Sequence, residues 1–503
     1  MNATLRLALC AALSPACIID PPQVSGSDPD TGHPGTTAAA ETTGADMVPT
    51  TGGAETTTEV DMPTGSTTGE DSSTGEPIDI LELLLAIEGL EVEERESPLP
   101  DYRYFVMTFM QPADHGDPDG LKFPQRMMLL HRDSAAPLVL STAGYMIDPD
   151  YPGLNELSTL LASNQLVVEH RFFVPSRPEP ADWATLTIEQ AAADLHRVTG
   201  AFKPVYPGRW ISTGASKGGM TAVYFRRFYP DDVDGTVAYV APQSYGEADP
   251  RYIDFVAQLG TAKCREALIA TQRELLLRRP AMVARMQAQV EDGYYYDMLG
   301  VDRALESAVL ELPFTFWQYG VASDCAQVPA PGVDDDTLWT FISDYNSPAY
   351  WSDYQLETYE PYFFQAAVQL GYPGLDESNV ADLLMYPGGD VAASYVSPDK
   401  DPVLDLGAMP DIAEWLATDG RALLFIYGEN DPYTAAAFEL GAAEDAYRFI
   451  APGENHGARI LDLEPADLDQ ALAALAAWSG VEPKIPRSMP PARRRPELRS
   501  APR

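Results

Sequence analysis

From residue 78 onward, short extended apolar runs alternate with longer amphipathic ones. "IDILELLLAIEGLEVEE" places its apolar residues at helical spacing, and "DYRYFVMTFMQPADH" alternates with the period of a strand. "QRMMLLHRD", "APLVLSTAGY" and "QLVVEHRFF" predict further strands, the second apolar throughout, like a strand covered on both faces. "TIEQAAADLHRVTGAF" reads as an amphipathic helix, followed by the strand "RWISTG", the helix "GGMTAVYFRRFYP" and the strand "VDGTVAYVAP". Strands alternating with helices predict a parallel sheet covered by helices, an α/β fold.

After Gln243 the texture changes. Residues 244–385 are long-period and rich in aromatic side chains, predicting a mainly helical insertion. "REALIATQRELLLRRPAMVARMQAQV" is one helix with a kink or break at Pro280, and "YYYDMLG", "FTFWQYG" and "SPAYWSDYQLETYEPYFFQAAVQLGYP" follow. The α/β pattern resumes over 386–480 with "IAEWLATDGRALLFIYGENDPY", "YRFIAPGENHGARI" and a last helix, "PADLDQALAALAAWSG". The expected layout is a core of residues 78–243 and 386–480, a cap of 244–385, and a Pro/Arg-rich basic tail, 481–503, predicted to be disordered.

The ends add compartment to the picture. Residues 1–16 predict a cleaved export signal: a short apolar stretch with Arg6, then small residues before Cys17. Cys17 is the lipidation candidate of a cell-surface lipoprotein, with free secretion as the other outcome. Residues 17–77, dominated by Thr, Gly and acidic residues, predict a disordered tether that buries too little surface to offset its ordering entropy. Cys264 and Cys325 remain, and an oxidising compartment would favour their pairing. The formal net charge of −42 repels nucleic acid and anionic lipid and favours cationic ligands such as a protonated amine. Membrane contact is expected only through an N-terminal lipid.

The candidate chemistry begins at "WISTGASKGGM". Gly214-Ala215-Ser216-Lys217-Gly218 fits G-x-S-x-G at a strand-to-helix junction, the setting of a nucleophile elbow. The pentapeptide alone is a weak signal; its context strengthens it. In the α/β-hydrolase order an acid and then a histidine follow. His456 is the only histidine downstream of Ser216. In "LLFIYGENDPY" the acid is Asp431, with Glu429 in reserve. Asp431 would hold the imidazole in the tautomer that accepts the serine proton. The Lys217 amide and that of Tyr145 or Met146, in "LVLSTAGYM", are the oxyanion-hole candidates.

"STGASKGGMTAVYFRRFYPDDVDGTVAYVAP", "EHRFFVPSRPEPADWATLTIEQAAADLHR", "IYGENDPY" and "PGENHGA" resemble the secreted bacterial prolyl tripeptidyl aminopeptidases, a serine peptidase family, and more distantly the lysosomal prolyl carboxypeptidase and dipeptidyl peptidase group. The resemblance spans about residues 80–480. It implies an α/β-hydrolase core, a helical cap and release of short peptides from free N-termini, often with proline at the cleaved position. The family's nucleophile, acid and base fall on Ser216, Asp431 and His456.

An exopeptidase must recognise the substrate's α-ammonium, for which a buried carboxylate is the natural partner. Glu169, ending "QLVVE", is the candidate, against a purely structural Glu169–Arg171 network. Tyr350 and Trp351 are candidates to line an apolar slot for proline. No zinc-type cluster of His, Cys and carboxylate is visible, so no metal or cofactor is implied. The functional expectation is an exported serine aminopeptidase acting on oligopeptides with a free N-terminus. An esterase on the same fold is the alternative, since both reactions are acyl transfers. A catalytically silent binding protein is the third reading.

Overall fold

A computed structural model describes residues 78–486. The predicted signal, tether and Cys17, and the tail from residue 487, lie outside the described residues.

Nine strands form one sheet in the order β1-β2-β3-β5-β4-β6-β7-β8-β9. They are β1 Leu90–Arg95, β2 Arg103–Pro112, β3 Lys122–His131, β4 Leu138–Thr142, β5 Asn164–Val168, β6 Trp210–Ala215, β7 Gly235–Tyr239, β8 Arg421–Gly428 and β9 Glu444–Ala451. The first three run antiparallel through the β3/β5 pair, and every pair from β5 to β9 is parallel. From β4 the chain moves to one side to make β5, then crosses back to make β6 on the other. The reversal opens a crevice at the carboxyl ends of β4 and β6, the usual place for ligands in open α/β sheets.

The helices are α1 Ile80–Leu85, α2 Glu156–Leu161, α3 Ile188–Phe202, α4 Lys217–Phe228, α5 Arg251–Val256, α6 Ala262–Leu277, α7 Arg279–Ala288, α8 Val301–Leu310, α9 Leu312–Tyr319, α10 Asp335–Asn346, α11 Asp353–Gln365, α12 Ala408–Asp419 and α13 Pro465–Ser479. Side chains of the central strands alternate between two cores. Leu138 and Leu140 point to the core shared with α1 and α3, whereas Val139 points to the one covered by α2 and α13. On β8, Leu423, Phe425 and Tyr427 join α4, α12 and the cap, while Leu424 and Ile426 face α13. The period of two thus explains why these strands are apolar throughout. α3 starts where Thr187 accepts the Gln190 amide, and Ile188, Leu195, Val198 and Phe202 bury one stripe.

Two sequence expectations change. The first predicted helix stops at Leu85, and "LEVEE" is an edge strand paired with β2. Gly89, at φ +78°, turns the chain, after which Leu90 and Val92 alternate with glutamates. The expected break in the long helix of the insertion falls at Arg278, with Pro280 in the first turn of α7, where a missing amide hydrogen costs nothing. The helical region runs from α5 through α11, and its packing continues past residue 385. Tyr395 bonds Ser307 and Asp390 and lies against Phe363.

Within the cap, Cys264 of α6 is joined to Cys325 across a sequence separation of 61 residues. A cross-link closing a loop of that length stabilises by about 4 kcal/mol in the chain-entropy picture. The pair Cys264→Ala/Cys325→Ala should therefore lower the unfolding free energy by about 2–4 kcal/mol in urea denaturation. An unchanged midpoint would show that packing alone holds the cap.

Candidate active site

β6 ends at Ala215 and α4 begins at Lys217, so Ser216 alone makes the turn. It sits at φ +52°, ψ −126°, a conformation that costs a non-glycine residue on the order of 1–3 kcal/mol. The turn is held from both sides: the Ser216 amide donates to the Tyr239 carbonyl of β7 (2.9 Å), and its carbonyl accepts the Met220 amide (2.9 Å). The amides of Lys217, Gly218 and Gly219 therefore precede the first bond within the helix, at its positive end.

The loop after β4 is pressed onto that helix end. A Cβ on Gly144, whose φ is +74°, would lie 2.4 Å from the Gly218 nitrogen; one on Gly218 would lie 2.4 Å from the Thr142 carbonyl oxygen. Thr142 Oγ1 donates to the Gly218 carbonyl (2.5 Å), and Lys217 Nζ donates to the Gly144 carbonyl (2.8 Å). The Lys217 side chain is buried beside the Tyr145 and Phe173 rings, and burial pushes its ammonium well below the usual lysine range. These contacts bring Lys217 and the Tyr145–Met146 segment, the two oxyanion candidates, to one place.

The acid and the histidine stand on the next loops along the sheet edge. Asp431 follows β8, and His456 follows β9. Asp431 Oδ2 lies 2.7 Å from His456 Nδ1, with both side chains buried. Asp431 Oδ1 accepts the Tyr433 amide (3.1 Å), which fixes the carboxylate. With Asp431 ionised, the proton of the imidazole belongs on Nδ1, and Nε2 is the basic nitrogen. Glu429, the reserve acid, instead accepts the Gly453 amide (2.7 Å) and ties the two loops together.

The cap adds contacts to this arrangement that no sequence motif signals. The His456 amide donates to the Gln318 carbonyl of α9 (3.0 Å), and Asn455 Nδ2 donates to the Gly320 carbonyl (3.0 Å). The Tyr433 ring lies 4.8 Å from the imidazole, and Tyr319 meets it edge-on at 6.2 Å. Far below, Glu156 accepts the Ile460 and Leu461 amides and anchors the end of the histidine loop.

Three substrate-binding expectations are corrected. Glu169 is fully buried, and both its oxygens are taken. Oε2 accepts from the Arg126 guanidinium and from the Ile147 amide (2.8 Å), and Oε1 from the Ser176 hydroxyl (2.6 Å). Arg126 also donates to the Ile147 carbonyl (2.7 Å), so the pair braces the loop that carries Tyr145 and Met146. It is not free to meet a ligand. Nor does Glu169 pair with Arg171, whose guanidinium binds Asp194 of α3 through two bonds, at 2.7 and 2.8 Å. Trp351 is packed in the cap core with α8, and Tyr350 lies partly buried against the same core, its ring 6.5 Å from that of Trp351. Aromatic surface beside the imidazole comes instead from Tyr319 and Tyr433.

Gly144→Ala should be severely destabilising or leave the β4 loop displaced, because its Cβ meets backbone that no rotamer change can move. Thermal denaturation checks this: a loss of several degrees is expected, and a wild-type midpoint would overturn the close-packing argument.

Comparison with known proteins follows the same lines. A prolyl tri/tetrapeptidyl aminopeptidase of Streptomyces mobaraensis is 44% identical over 427 residues, covering 84% of this chain and 89% of its own. A lysosomal Pro-X carboxypeptidase of Mus musculus is 30% identical over 177 residues, which is 29% of this chain and 34% of the mouse protein. A solved α/β hydrolase from Novosphingobium aromaticivorans overlaps 75% of this chain and 99% of its own at 16% identity, with a TM-score of 0.32. The strand order itself identifies the α/β-hydrolase fold. The profile of the PS-10 peptidase S37 family matches residues 74–499. With that match over most of its length, this chain belongs to the PS-10 peptidase S37 family and is a serine peptidase.

Proposed function

We propose that the protein is an exported serine aminopeptidase that releases short peptides, chiefly tripeptides with proline at the cleaved position, from free N-termini. The observation that carries the mechanism is the buried 2.7 Å His456–Asp431 pair, at the same sheet edge as a strained serine turn. Ser216 Oγ attacks the scissile carbonyl as His456 Nε2 takes its proton. The tetrahedral oxyanion is met by the Lys217 amide and by the amide of Tyr145 or Met146, donors held in place before the reaction begins. The imidazolium, stabilised by Asp431, returns the proton to the leaving amine. Water then hydrolyses the acyl-enzyme through the same histidine. No step needs a metal or cofactor.

The substrate class rests on the 44% identity to the Streptomyces aminopeptidase and on the cap, whose helix α9 is bonded to the histidine loop and so overhangs the site. Such a roof admits a chain end more readily than the middle of a folded protein. Export is supported by the Cys264–Cys325 disulfide, a bond of oxidising compartments, and by the predicted signal. Lipid attachment at Cys17 is the corresponding membrane proposal.

A chromogenic tripeptide ending in proline, its N-acetylated form and a short-chain ester separate the readings. The free tripeptide should be the best substrate, and Ser216→Ala should lower its kcat by roughly 10⁴-fold or more. A serine-directed fluorophosphonate should label Ser216. Turnover of the ester alone would favour an esterase; absence of labelling would favour a silent binding protein.

A further inference from the structure

Beyond the triad, the cap places one acidic group where an aminopeptidase needs it. Glu311 lies between α8 and α9, as the C-cap of one and the N-cap of the next. Its carboxylate accepts one hydrogen bond, from the Tyr372 hydroxyl (3.2 Å), and among the described residues no Lys, Arg or His forms an ion pair with it. Most other deeply placed carboxylates of this protein have strong partners: Glu169 has Arg126, Asp194 has Arg171, Glu306 has Arg279 and Glu360 has Lys400. Glu311 is half-buried by area, yet burial, followed by the charge of Asp390, holds its carboxyl well above the ordinary range. Part of its side chain remains open to solvent.

The surroundings are those of a cation site. Tyr372, which donates to Glu311, has its ring 6.4 Å from that of Tyr395, and the Tyr395 hydroxyl is bonded to Asp390. Asp390 is 7% exposed; its Oδ1 accepts from Tyr395 (2.8 Å), and its Oδ2 has no partner among the described residues. Arg303, the nearest cation to Asp390, donates to Gly389 and Ser394 instead. Two carboxylates without an ion-pair partner among the described residues, linked through the Tyr372 and Tyr395 side chains, suit an incoming ammonium with three donors.

Position supplies the second argument. α9 runs from Glu311 to the histidine loop, where the Gln318 carbonyl accepts the His456 amide. Seven residues of helix span about 10 Å at 1.5 Å per residue. An extended tripeptide, from its ammonium to its scissile carbonyl, also spans about 10 Å. A second path agrees: Tyr362, whose hydroxyl is pushed up by burial and then by the charge of Glu311, lies 5.8 Å from Tyr145 on the oxyanion loop.

We propose that Glu311, bonded to Tyr372 at the start of helix α9, receives the substrate's α-ammonium, and that helix α9 sets the cut at the third residue. The inference rests on the aminopeptidase reading above. The test is the ratio of kcat/KM for a proline-ending tripeptide p-nitroanilide to that for its N-acetylated form. The ratio is internal to each sample, so it does not depend on the folded fraction. In wild type it should be large; in Glu311→Gln it should fall by about 10²-fold or more, mainly through KM of the free substrate. Glu311→Asp, which keeps the charge but withdraws it, should fall between the two. A wild-type ratio near one sinks the aminopeptidase reading itself. A large wild-type ratio preserved in Glu311→Gln overturns only the role of Glu311. Should Glu311→Gln fail to fold, Glu311→Asp decides: an unchanged ratio and KM overturn the assignment. On wild type, prolyl substrates with two, three, four and five residues before the cut should peak at three, and a maximum at two or five would overturn the helix as ruler.

Discussion

The site depends on how closely the loop after β4 can approach the first turn of α4. That approach is a backbone-on-backbone contact at the point where the chain reverses its direction of travel across the sheet. Glycine at 144 and 218 permits it, and Thr142 and the buried Lys217 side chain secure it with hydrogen bonds. Ser216 is thereby kept in a backbone conformation it would leave if unsupported. The Tyr239 carbonyl of β7 holds its amide and the Met220 amide of α4 its carbonyl, while Thr142 of β4 secures the helix turn at Gly218, so the strain is borne by the surrounding sheet and helix.

A second layer supports the first. Glu169 and Arg126 grip both the amide and the carbonyl of Ile147, directly beyond the segment that presents Tyr145 and Met146. The ion pair is deep, and breaking one member would leave the other buried and uncompensated, which is why such pairs make firm braces even when their net contribution to stability is small. The cap supports the other half of the site: α9 offers its terminal carbonyls to the loop that carries His456. Core and cap are thus coupled at the histidine, and the apolar core on that face of the sheet runs without a break from β8 through α4 into α6–α11.

This coupling gives the cap a role beyond obstruction. Its helix α9 reaches from Glu311, a carboxylate without a cation partner among the described residues, to the loop that carries His456, so one rigid element relates the two. A helix is a suitable spacer because its rise per residue is set by backbone geometry and changes little with sequence.

The order of strands and helices was legible because apolar periodicity is a local property, and so was the placing of Ser216, Asp431 and His456 after strands that end at the same sheet edge. The elbow could be read from Gly-x-Ser-x-Gly for the same reason: small residues are demanded by a tight turn whatever lies around it. Misreadings arose where neighbours decide. "LEVEE" has residues that suit either period, and only pairing with β2 makes it a strand. Glu169 and Arg171 are two apart on one segment, yet Arg126 and Asp194, from β3 and α3, take them separately. Trp351 looked like a ligand wall and is core, since a lone aromatic carries no record of which surface it will meet. Glu311 had no mark at all, because a carboxylate becomes distinctive only when folding removes both its water and its counter-charge.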